Sequence, residues 1–215
     1  METEWASSKL FYRIRNRVCT CTLRIALYTG RACLIPTFGL YYYSTTAVCV
    51  NAVKYGTMDE REYYIQQHRL AHGDRREFRG RSLPPHVERI NQLLREHQCH
   101  SILDYGCGKA ECWPPEWQGR IQGYDPAYEP HSERPQGVYD MVICTDVLEH
   151  VPKSAVAAVI QDIFELRRRW AYISICTRPS HKTLPDGSNK HVTVQSPEWW
   201  HQLLEQYDRY TVVYT

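Results

Sequence analysis

Residues 101–110 read SILDYGCGKA. Ile102 and Leu103 form the apolar run of a short buried strand, and Asp104 puts a carboxylate at its carboxyl end. Gly106 and Gly108 then allow a tight turn in which the backbone comes close to a ligand. In open α/β sheets ligands bind at that end of the strands. The next signals are spaced from this turn. Nineteen residues beyond Gly106, IQGYDPAY ends a second apolar run on Asp125, the spacing at which an acid can receive the hydroxyls of a ribose. A third run, YDMVICT, leads into DVLEHVP and puts Asp146 at the start of the following loop.

In this order and spacing the three motifs resemble those of the class I S-adenosylmethionine-dependent methyltransferases, over about residues 58–215. The resemblance implies an α/β fold, a Rossmann-like, doubly wound and mostly parallel sheet, with S-adenosyl-L-methionine as cofactor. It also implies cofactor-binding roles. Asp104 would orient the methionine ammonium, Tyr105, Gly106 and Gly108 would bring the turn against the cofactor, Asp125 would accept from the ribose, and Asp146 would line the methionine side. His150, His181 and His191 are the candidates for a catalytic base, which a hydroxyl or ring-nitrogen acceptor would need and a thiol would not. The expected acceptor is a small molecule or another O or N nucleophile. A nucleic-acid methyltransferase and a non-catalytic, methyltransferase-like binding module remain the alternatives.

The chain departs from the family's pattern in three places. CWPPEW, residues 112–117, carries two prolines that a helix can start with but not pass through, so the crossover to the second strand is short. Trp113 and Trp117 are expected to cover the sheet or the cofactor pocket. Only 14 residues separate Asp125 from Asp140, too few for the usual helix, strand and loop, and no adenine-contacting residue is assigned. The family's last hairpin strand is absent as well, so the expected sheet is trimmed. Two competing motifs fit less well. The string Asp125-Pro126-Ala127-Tyr128 resembles an amino-methyltransferase box but lies one strand too early, and Glu111 would face the pyrophosphate of a nicotinamide dinucleotide.

Charge divides the chain in two. Residues 1–57 carry seven basic and two acidic side chains, net +5, while the remaining 19 basic and 22 acidic ones give 58–215 a net −3. The second part therefore has no general pull toward nucleic acid. Residues 1–57 read as an extension, either unstructured or preceding a true start at Met58, with an organelle transit peptide as the alternative. Residues 32–53 are uncharged but contain Pro36, Gly39 and Asn51, a poor spanning helix, so no stable membrane insertion and a cytoplasmic location are expected. No metal site is expected. Cys99, His100, Cys107 and Cys112 lack a paired Cys-x-x-Cys spacing, and Cys107, Cys144 and Cys176 read as small buried apolar residues.

Helices are expected over 58–72, from Val87 onward, over 152–169 and after Ser196-Pro197, and strands over 170–177 and 210–214. Arg167 to Arg169 are expected to complement the end of the third helix. Arg75, Arg76, Arg79 and Arg81 read as a solvated lead-in, with a cap over the cofactor or an anion site as the functional alternative. The long polar loop 177–200 is the place for acceptor recognition. In it His181 and His191 flank an Asp186-Gly187 turn and could face each other across a hairpin.

Overall fold

The computed structural model describes residues 58–215 in full. Before them it gives the backbone of three strands, β1 (Trp5–Ile14), β2 (Arg17–Ala26) and β3 (Cys49–Val53), paired antiparallel in that order. The reading of 1–57 as an extension falls outside the residues described in full. The chain divides into two units, Met1–Tyr63 and Tyr64–Thr215.

The second unit is built on a sheet of β4 (Ile102–Tyr105), β5 (Ile121–Tyr124), β6 (Tyr139–Thr145), β7 (Arg167–Ile175) and β8 (Tyr210–Tyr214). Its order is β5-β4-β6-β7-β8, and every neighbouring pair is parallel. Parallel strands buried on both faces need apolar residues at nearly every position, which is what the short runs around Ile102 and Met141 supply. Successive side chains go to opposite faces. Leu103, Val142, Cys144, Ala171 and Ile173 join one core cluster, and Ile102, Met141, Ile143 and Tyr172 join the other. Each fully buried aliphatic side chain here is worth about 1.5–3 kcal/mol.

The helix α1 (Glu60–Ala71) runs into the second unit, and α2 (Val87–Glu96) lays Ile90, Leu93 and Leu94 on the second cluster. The other face is covered by α3 (Val156–Leu166), through Val156, Val159, Ile160 and Ile163, and by α4 (Pro197–Leu204), through Trp200 and Leu204. Ser196 caps α4 by accepting from the Trp199 N–H. The winding reverses beside β4, so the crevice at the carboxyl ends of β4 and β6 is the topological switch point.

The sheet is trimmed as the spacing predicts. A single short turn, Pro115–Trp117, replaces the first crossover helix, and another, Glu129–His131, fills the gap between β5 and β6. The bared edge of β5 borders a cavity of about 650 Å³, lined in part by Trp113, Gly123, Glu129 and His131.

Two expectations need correction. The third helix starts at Val156, after a turn in which Ala155 N–H donates to the Pro152 carbonyl, and it stops at Leu166. Arg167 to Arg169 are the first residues of β7, because Tyr139 pairs with Arg167 and draws the chain into the sheet. Arg167 is also the C-cap residue of α3, in extended conformation, and Arg168 and Arg169 lie beyond the helix end. Arg168 and Arg169 lie 3.4 and 3.5 Å from the Asp140 carboxylate, and Arg167 binds Asp208. Among the described residues, no helix is long and apolar enough to cross a membrane.

Candidate active site

The carboxyl ends of β4, β5 and β6 bring Asp104, the glycine turn, Asp125 and Asp146 to one edge of the sheet. Asp104 is 4 % exposed and accepts a 2.7 Å hydrogen bond from the Trp113 indole. Burial, with the nearby Asp125 carboxylate adding to it, pushes the Asp104 carboxyl up to about 7, and the indole donor opposes the shift. Trp113 thus has a polar task at the edge besides covering it.

Gly106 and Gly108 both have positive φ, 79° and 56°. A Cβ at Gly106 would collide with the Val147 side chain, and one at Gly108 with the Phe78 carbonyl oxygen. Asp125 holds the turn from the next strand. Its carboxylate accepts from Gly108 N–H and from Ala127 N–H, both at 2.9 Å. Burial raises its pKa, and these amide donors pull the other way. Its side chain is therefore turned to the glycine loop and its own turn, and Tyr128 stacks on His72, so the Asp-Pro-Ala-Tyr string serves local structure here. Asp146, at φ 53°, accepts from the Ser174 hydroxyl at 2.8 Å. The Tyr105 side chain points elsewhere, into the core facing α3, where its hydroxyl donates to Asp162.

The arginine-rich segment seats on this edge, through its other residues. The Phe78 carbonyl accepts from Lys109 N–H at 2.7 Å, and Lys109 Nζ donates back to the carbonyls of Asp74 and Glu77. Glu77 pairs with Lys182 and Lys190, Lys190 Nζ stands 4.2 Å from the Phe78 ring centre, and Ser82 donates to the Thr145 carbonyl. Arg75, Arg76 and Arg81 stay exposed, and Arg79 pairs with Glu111. Phe78 and Glu77, missed in the sequence, make this segment a lid over the glycine turn.

Beneath the lid four histidines gather. His68 and His191 each set a ring edge-on to His150, at 5.2 and 4.8 Å, and His72 stacks on Phe78. Burial lowers His68 and His72 to about 4. Burial, together with His68 and His191, drives His150 well below its ordinary value. His150 is thus neutral at physiological pH, with Nδ1 donating to the Lys190 carbonyl and the lone pair left on Nε2. The hairpin exists, through an antiparallel bridge between Thr183 and Asn189, yet His181 is exposed while His191 packs on His150. Next to them Glu149 is fully buried, and burial raises its carboxyl to about 8. Cys176 is only half-buried, because β7 has already ended at Ile175.

A family model described as a methyltransferase domain matches residues 69–213, which take in the lid, the whole sheet but its last residue and the long loop. No curated protein and no solved structure matches the chain. With the five-stranded parallel sheet and its glycine turn, this match establishes that the chain belongs to the methyltransferase domain family of the class I S-adenosylmethionine-dependent superfamily.

Proposed function

We propose that the chain binds S-adenosyl-L-methionine along the carboxyl edge of β4, β5 and β6 and transfers its methyl group to a small acceptor. One observation carries the reading: Asp104, Asp125 and Asp146 end or follow three adjacent strands around a turn of two positive-φ glycines. The donor set fits this cofactor. Carboxylates suit an ammonium, a sulfonium and a ribose diol, whereas a pyrophosphate would meet Glu111 and buried acids. Bound there, the cofactor supplies an electrophilic methyl carbon.

The protein's part is to hold, orient and exclude water. Asp104 would face the methionine ammonium, and Asp125, whose oxygens keep lone pairs beyond the two amide bonds, would accept from the ribose. Asp146 is fixed by Ser174 and borders the methionine side. The lid, held by Glu77 to the long loop, closes the turn from solvent. Neutral His150 is a weak base with a fixed tautomer, suited to accepting a hydrogen bond from an acceptor group at Nε2. The net negative charge of 58–215 favours a small acceptor over a nucleic acid.

A non-catalytic module is the second reading, favoured by the way Val147 and the Phe78 carbonyl already fill the space beside both glycines. Calorimetric titration of the full chain with S-adenosylmethionine and, separately, with NAD decides between them. Micromolar binding of the first alone supports the enzyme reading, and heat from neither supports the module.

The Asp104 carboxyl makes this binding pH-dependent. An ammonium prefers the ionised acid, which forms as pH rises through about 7. Affinity is therefore expected to increase about tenfold from pH 6 to pH 8. Asp104→Asn should flatten the profile, and a wild-type affinity that is constant or falls over this range would contradict the role given to Asp104.

A further inference from the structure

We propose that Glu149, Cys176 and His191 form a site for a divalent cation of the zinc class. One ligand atom from each lies within 4.8 Å of the other two, though the three residues come from the loop after β6, the residue following β7 and the long polar loop. A cation about 2.0–2.3 Å from oxygen, nitrogen and sulfur sets those atoms about 3.5 Å apart at tetrahedral angles, so small side-chain rotations close the site.

Each residue is prepared for this. Glu149 is 0 % exposed, and its Oε1 accepts from the Cys176 N–H at 3.1 Å. Its Oε2 is buried without any hydrogen-bond partner, an arrangement that is unfavourable unless something fills it. The N–H that binds Oε1 belongs to Cys176 itself, which ties the carboxylate to the backbone that carries the thiol. His191 Nδ1 lies 2.6 Å from the Arg178 carbonyl, and a carbonyl only accepts, so Nδ1 carries the proton and Nε2 keeps the lone pair. A carbonyl behind a histidine fixes the tautomer in this way in metal sites generally. Cys176 is a free thiol.

The donor types choose the ion. A mixed oxygen, nitrogen and sulfur set suits zinc, whereas magnesium and calcium take oxygen ligands. Three protein ligands leave the fourth position open. Asp146 and Glu149 share one loop, so that position belongs to the border of the proposed cofactor edge. An acceptor hydroxyl or thiol taken there would release its proton to water on binding and attack the cofactor's methyl carbon as the bound anion, the carbon–sulfur electron pair leaving with the sulfonium sulfur. That use rests on the methyl-transfer reading, and the site itself does not.

The test omits the cofactor. The full chain is stripped with chelator and titrated with cobalt(II), which reports a thiolate ligand by a near-ultraviolet charge-transfer band, and with zinc in competition. One tight equivalent is expected, with the sulfur band and d–d absorption of tetrahedral strength, displaced by zinc. Cys176→Ser should abolish the band and His191→Ala should weaken binding at least tenfold, both with unchanged circular dichroism. Glu149→Gln, which keeps the hydrogen bond from Cys176, should also bind at least tenfold more weakly. Absence of the band in the wild type, or a band that persists in Cys176→Ser because other cysteines hold the metal, would overturn the proposal.

Discussion

Asp125→Asn is expected to weaken S-adenosylmethionine binding by roughly 10- to 100-fold while leaving the sheet folded. Asparagine loses the charge that strengthens a hydrogen bond to the ribose, an effect of about 1.5–3 kcal/mol. It also disturbs the turn. The native carboxylate accepts from both Gly108 N–H and Ala127 N–H, and an amide side chain has one oxygen for the two. The strands beneath are held by two apolar clusters that do not include Asp125, so far-ultraviolet circular dichroism should be unchanged. Calorimetry gives the affinity. A value within threefold of the wild type would show that Asp125 is a turn-capping residue only.

Gly108→Ala carries the largest expected loss of stability, about 2–4 kcal/mol. Part comes from the backbone, since φ 56° costs an L-residue about 1–2 kcal/mol. The rest comes from the lid, because the new Cβ would run into the Phe78 carbonyl, the group that binds Lys109 N–H. Gly119 provides the control. It has φ 81°, but a Cβ there meets nothing within 4 Å, so Gly119→Ala should show the backbone cost alone. A denaturant melt of both variants separates the contributions. Equal losses in the two would mean that the lid yields freely at Gly108.

How much of this was legible in the sequence depended on range. The sheet was, because strands buried on both faces must be apolar runs, and Asp104, Asp125 and Asp146 each follow such a run directly. The missing strand was also legible, since 14 residues cannot hold it. The end of α3 was not. No glycine or proline separates Leu166 from Arg167, and only pairing with Tyr139 turns the chain into β7. A cap over the cofactor is one of the two readings of the arginine stretch, but the residues that seat it are hidden for the same reason. Arginines dominate its composition, yet Glu77 reaches Lys190 across 113 positions and Phe78 is held by Lys109. Cys176 looked like one more buried strand cysteine. Its meeting with Glu149 and His191 exists only once three loops converge at the sheet edge.

The proposed place of the cofactor is against the glycine turn, under the lid. Amide hydrogen exchange of the full chain, with and without saturating S-adenosylmethionine, tests it most directly. The expected result is slowed exchange confined to residues 104–110, 125–128 and 146–150 and to the lid at 74–82. Unchanged exchange at 104–110 and 125–128, or protection confined to other parts of the chain, would contradict it.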